Sequence, residues 1–185
     1  MAKHKIAVLI GSLRKGSYTR MVAKAMCMHN ESLECEIVEI GHLPLYNQDL
    51  EDAGAPKEWL DFRKQIRAVD AVLFATPEYN RSIPGGLKNA IDVGSRPYGQ
   101  SVWSKKPAAV VSVTPGALGA FGANHHLRQC FVFLDMPAMQ QPEAYIANAA
   151  KLFDGDGNLA ENGTREFLRK FMDAFARWIE TTAPK

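Results

Sequence analysis

Short, nearly continuous apolar runs alternate along this chain with longer stretches whose apolar residues recur every three or four positions. Residues 6–10, 71–75 and 108–113 are such runs, each bounded by Gly, Pro or polar residues. That is the pattern of strands covered on both faces. Residues 35–40 mix Cys35, Ile37, Val38 and Ile40 with Glu36 and Glu39, which predicts a half-covered strand near a sheet edge. A weaker fifth strand is expected between Ala138 and Ile146. Helical spacing falls between the runs, in Met21, Val22, Ala25 and Met26, then Trp59, Phe62, Ile66 and Val69, then Leu87, Ala90 and Ile91, then Leu127, Cys130, Phe131 and Leu134. The last helix is the plainest. Phe167, Leu168, Phe171, Met172, Phe175, Trp178 and Ile179 form one stripe, and Arg165, Glu166, Arg169, Lys170, Asp173, Arg177 and Glu180 take the opposite face.

Strand and helix alternate throughout. Parallel neighbours need crossover connections, so the alternation predicts an α/β three-layer sandwich, a parallel sheet with helices on both faces. Five strands suggest the flavodoxin-like order 2-1-3-4-5. No repeat or linker divides residues 1–185, so one domain is expected. Asp154-Gly-Asp-Gly-Asn158 begins like a calcium loop, but its twelfth position is Arg165 where a bidentate Glu is needed, and a turn is expected instead.

Composition narrows the partner. The 22 cations are spread among 20 acids for a formal net charge of +2, with no basic block suited to nucleic acid or a membrane surface. A small molecule is the expected partner. No apolar run approaches the roughly 18 residues of a spanning helix, and Met1-Ala-Lys-His-Lys5 leads into a strand rather than a signal sequence, so a cytoplasmic setting is expected. Cys27, Cys35 and Cys130 are odd in number, widely spaced and set among apolar residues, which suits reduced structural thiols.

In an open α/β sheet a ligand binds outside the carboxyl ends of the strands, where the strand order reverses. Three unusual turns fall there: 12–19 after the first strand, 76–82 after the third and 114–116 after the fourth. The first carries Ser12, Arg14, Ser17 and Thr19 and precedes a helix, whose opening N–H groups and dipole favour an anion. It is not a triphosphate loop, because Ser17 stands where G-x-x-x-x-G-K-[ST] requires lysine. Nor is it a dinucleotide fingerprint, because Leu13 holds the second glycine position of G-x-G-x-x-G. A single phosphate is the expected ligand. Plain capping of the helix by Ser17 accounts for part of the pattern without a ligand.

These stretches carry a resemblance. Gly11-Ser-Leu-Arg-Lys-Gly-Ser-Tyr18, Leu43-Pro-Leu-Tyr-Asn-Gln-Asp49, Thr76-Pro-Glu-Tyr-Asn80 and Ser82-Ile-Pro-Gly-Gly-Leu-Lys-Asn-Ala-Ile-Asp92 together resemble the NAD(P)H-dependent FMN reductase family, in particular its bacterial quinone and chromate reductases. The likeness runs on through His126-Leu-Arg-Gln129, Phe133-Leu-Asp135 and the final helix. It implies FMN held by Ser12, Leu13, Arg14, Lys15, Gly16, Ser17, Tyr18 and Thr19, with the phosphate on Ser12, Arg14, Ser17 and Thr19. It also implies an isoalloxazine edged by Pro77, Glu78, Tyr79 and Asn80, and a flavin-contacting hydroxyl at Thr114. The chain departs from the family's common Gly-Gly pair after the fourth strand, where it has Gly119-Ala120.

The activity so implied is hydride transfer from NAD(P)H to FMN N5 and onward to quinones, azo compounds or chromate, in a ping-pong cycle. The cofactor carries that chemistry, so no catalytic side chain is assigned. No metal is expected either: His125 and His126 are neighbours on a helix and point about a third of a turn apart. A homodimer or homotetramer is implied by the resemblance. The alternative is a flavodoxin-type electron carrier, against which stand a pI near 8.4 and Arg14 in the loop. A sheet protein without flavin is a third reading.

Overall fold

In a computed structural model, which describes residues 3–28 and 30–183, the five predicted strands form one parallel sheet of order β2-β1-β3-β4-β5. They are β1 (His4–Ile10), β2 (Leu33–Val38), β3 (Ala71–Thr76), β4 (Ala108–Val113) and β5 (Ala144–Ile146). The helices are α1 (Tyr18–Cys27), α2 (Gln48–Asp52), α3 (Lys57–Arg67), α4 (Gly85–Gly94), α5 (Phe121–Phe133) and α6 (Asn162–Thr182), with a single 3-10 turn at Ala149–Lys151.

The continuous apolar runs have a direct explanation. Successive strand side chains point to opposite faces, and both faces are covered. Ala7, Leu9, Val72, Phe74 and Val110 join Trp59, Phe62, Trp103 and Phe131 on one side. Ile6, Val8, Ile10, Leu73, Val111 and Val113 join Val22, Met26, Phe171 and Phe175 on the other. Each Val, Leu or Ile side chain so buried contributes about 1.5–3 kcal/mol. The sheet therefore holds α3, α4 and α5 against one face and α1 and α6 against the other.

β2 begins and ends two residues earlier than its alternation predicted. Its pairing with β1 opens at His4↔Leu33, where Leu33 is buried, and closes at Leu9↔Val38. Glu39 then leaves the ladder, its carboxylate accepting from both terminal nitrogens of Arg20 at 2.8 and 2.7 Å. Ile40 stays buried although it lies outside the strand. Along β2 the side chains of Glu34 and Glu36 are exposed while Cys35 and Ile37 are half-buried, as an edge strand covered on one face requires. The other edge, β5, is three residues long.

α2 has no buried residue, so apolar spacing does not reveal it. It is held by charge instead. Arg63 of α3 is 2% exposed and reaches Glu51 of α2, with Nη1 donating to Oε1 at 3.0 Å. Its Nε donates to the Val93 carbonyl at 2.9 Å, so the buried guanidinium is satisfied on two sides. The 154–158 stretch is the turn expected from sequence: Asp154 Oδ1 accepts from the Asp156 and Asn158 N–H groups at 3.0 and 2.8 Å.

Candidate cofactor site at the strand ends

Because every strand runs the same way, the turns after β1, β3 and β4 emerge on one edge of the sheet, and the order reverses between β1 and β3. The first two turns are in contact. Gly11 N donates to the Ala75 carbonyl at 2.8 Å. A Cβ on Gly11 would stand 3.1 Å from Leu87, 3.2 Å from Pro77 and 3.3 Å from Pro84, so the absence of a side chain lets the turns close on each other.

Within the first turn Ser12 is buried, while Leu13, Arg14, Lys15 and Gly16 are exposed. Leu13 rests against Gly41 and Gly86, and the Arg14 guanidinium donates to the Gly16 carbonyl at 2.9 Å. Ser17 is the N-cap of α1, its Oγ accepting from Arg20 N at 3.2 Å. That leaves the Ser17 hydroxyl proton free to donate. Thr19 is buried in the first turn of α1, and the Tyr18 ring faces Phe153 at 6.4 Å. The opening N–H groups of α1 have no partner inside the helix. Serine and threonine hydroxyls, a guanidinium and helix-start amides thus cluster in one turn.

The second turn is closed on itself. Tyr79 and Ser82 exchange backbone hydrogen bonds at 2.9 and 3.0 Å across Asn80 and Arg81. Both central residues are left-handed, with φ of +52° and +67°, as a two-residue primed turn demands. Glu78 turns away, its Oε2 accepting from Ala123 N at 3.1 Å and so capping the start of α5. Arg81 Nη1 lies 3.5 Å from the other Glu78 oxygen. Ser82 Oγ shares a hydrogen bond with His126 Nδ1 at 2.7 Å. Pro77 is half-buried, and Tyr79 and Asn80 are exposed.

The third turn starts at Thr114, whose Oγ1 accepts from Gly116 N at 3.2 Å. Gly119 has φ +60°, and a Cβ there would stand 2.6 Å from the Tyr145 Cβ. Ala120 is also left-handed, at φ +57°, a conformation that costs a residue with a Cβ roughly 1–2 kcal/mol. The alanine of the Gly119-Ala120 pair therefore keeps a glycine-like backbone. Leu118 and Phe121 flank the turn, 63% and 54% exposed.

The adjacent histidines part company. His126 faces Ser82, whereas His125 Nε2 lies 2.9 Å from the Tyr145 hydroxyl. That hydroxyl gives its proton to Glu143 at 2.8 Å, so His125 is the donor to Tyr145. Burial, then the Glu143 contact, pushes the Tyr145 hydroxyl up to about 12. No group of three or more His, Cys, Asp or Glu residues suited to a metal occurs among the described residues. Nor does any helix among them have the length and apolarity to cross a membrane.

Sequence reasoning assigned no role to the turn after β2, although Leu43-Pro-Leu-Tyr-Asn-Gln-Asp49 stood out in the resemblance. Asn89 of α4 fixes it. Its Oδ1 accepts from Tyr46 N at 2.8 Å and its Nδ2 donates to the Leu43 and Pro44 carbonyls at 3.2 and 2.9 Å. Tyr46 stacks on Trp59 at 5.3 Å, and Gly41 lies under Leu13. The turn after β2 is thereby set beside the turn after β1.

A five-stranded parallel sheet of order 2-1-3-4-5 flanked by helices defines a flavodoxin-like α/β protein. The family model described as NADPH-dependent FMN reductase matches residues 4–151, and the chain belongs to that family. It is thus an oxidoreductase with FMN as cofactor and NAD(P)H as co-substrate. The chain is 62% identical over 178 residues to a quinone reductase of Pseudomonas putida, covering 96% of this chain and 95% of that protein. It is 44% identical over 176 residues to a 2-hydroxy-1,4-benzoquinone reductase of a Burkholderia species, covering 95% and 96%. Among solved structures it is similar to FerB, a flavoenzyme NAD(P)H:(acceptor) oxidoreductase of Paracoccus denitrificans. That match has 43% identity and a TM-score of 0.91, and covers 98% of this chain and 100% of that one.

Proposed function

We propose that this chain passes reducing equivalents from NAD(P)H through FMN to quinones, with azo compounds and chromate as further acceptors, in a ping-pong cycle. The observation that carries the reading is the donor set after β1. Ser12, Arg14, Ser17 and Thr19 offer hydroxyl and guanidinium protons beside the amides that open α1, a set matched to a phosphate monoester. Leu13, Lys15, Gly16 and Tyr18 complete that turn. Pro77, Glu78, Tyr79 and Asn80 would border the ring system through their backbone, since the Glu78 carboxylate is engaged by α5. Thr114 borders it from the third turn.

Bound FMN supplies the hydride chemistry. The three turns would hold it, and the exposed apolar side chains of Tyr79, Leu118 and Phe121 beside them would offer a surface for a flat acceptor. Nicotinamide and acceptor binding there in turn would give the ping-pong order. No side chain is assigned an acid or base role. The quinone reductase names of the Pseudomonas and Burkholderia relatives support the acceptor class.

A homo-oligomer is part of the proposal. Val132 and Phe133 leave the C-terminal end of α5 apolar and uncovered, 84% and 82% exposed. Three free cysteines support a cytoplasmic setting. The purified protein is expected to be yellow, to release a flavin with the mass of FMN on heating, and to oxidise NADPH with a benzoquinone in parallel initial-rate lines. FAD or no flavin overturns the proposal. Reduced flavin inert to quinone moves the chain to the electron-carrier class.

A further inference from the structure

Cys27 is the last residue of α1 and Cys35 the third of β2. Both thiols are free, half-buried, and packed against the core on the α1 and α6 side of the sheet. Alternation along β2 sends Glu34 and Glu36 outward and Cys35 toward α1. There the end of α1 packs on β2, and the two thiols are neighbours. Their mutual influence holds the Cys35 thiol below its ordinary value and raises Cys27 far above its own, with burial adding to the rise at Cys27. Cys130, on α5, packs against the core on the other face of the sheet. The pair also lies away from the flavin turn, because α1's ten residues put about 15 Å between its two ends.

We propose that Cys27 and Cys35 are a reversible dithiol that hydrogen peroxide oxidises to a disulfide, a modification site separate from the cofactor site. The Cys35 sulfur, as thiolate, attacks one peroxide oxygen. The O–O bond breaks, and the departing hydroxide takes up a proton to leave as water, so Cys35 becomes a sulfenic acid. The Cys27 sulfur then attacks the Cys35 sulfur. The S–O bond breaks, the S–S bond forms, and a second water departs with the Cys27 proton. Two thiols and one peroxide give one disulfide and two waters. The electron pair passes from sulfur to oxygen, and a dithiol reductant reverses the change by exchange.

The test uses the full-length, FMN-loaded protein, reduced, freed of reductant and treated with hydrogen peroxide. It is then denatured, alkylated and weighed. Expected is the loss of two of the three alkylatable thiols without a change in chain count. Cleavage after Glu31 and Glu34 should leave the Cys27 and Cys35 fragments joined until dithiothreitol parts them. Cys27→Ser should stop at a sulfenic acid on Cys35 that dimedone captures. The proposal is overturned if three thiols survive a dose that oxidises dithiothreitol in a parallel tube. A bridge or first oxidation at Cys130 overturns it equally. The wild-type mass decides the matter even if the variant fails to fold.

Discussion

The turn after β1 and the turn after β3 stand side by side, and they spend their polar groups differently. In 76–82 the Glu78 carboxylate and the Ser82 hydroxyl are used within the protein, on α5 and on His126, and the backbones of Tyr79 and Ser82 bond each other. In 11–19 the Ser17 hydroxyl proton and the helix-start amides remain to be used, and Arg14 makes a single bond, to its own turn. Polar groups that a fold leaves unspent at a strand end are available to a ligand, whereas spent ones set position. On the proposed reading one turn receives the anion and the other supplies a rigid wall.

Substitutions can break that division. Gly11→Val strikes both turns, since its side chain would press on Pro77, Pro84 and Leu87. Expected is a loss of about 1–3 kcal/mol in unfolding free energy by urea titration, together with at least a tenfold (~1.4 kcal/mol) weaker FMN affinity. Unchanged FMN affinity would mean that the turns work independently. Arg14→Ala should raise the FMN Kd about tenfold, the worth of one charge-assisted contact, and leave the melting temperature of the flavin-free protein where it was. Equal affinity removes Arg14 from the phosphate site. Smallest is Glu78→Ala, which leaves Ala123 N without its acceptor and should cost about 1 kcal/mol of stability. FMN affinity should stay within about twofold, a few tenths of a kcal/mol. A fall in affinity larger than the fall in stability would make Glu78 a ligand and erase the contrast.

β1, β3 and β4 were legible because burial on both faces leaves them long apolar runs with few polar positions. The donors of the first turn were legible for the opposite reason, as hydroxyls and cations crowded between a buried strand and a helix. What escaped depends on partners far along the chain. Arg63 reads as an interruption of an apolar stripe until Glu51 is seen against it, and Asn89 reads as one more helix position until its three bonds to residues 43–46 appear. The engagement of Glu78 spans 45 positions. β2 ends at Val38, after which Glu39 pairs with Arg20, a contact that alternation cannot register.

The two borders of the sheet carry a consequence for how copies meet. One border displays acidic side chains along its length and the other is too brief to template a neighbour, so a foreign strand finds no landing on either. Fibre growth by adding strands is therefore discouraged from the outset.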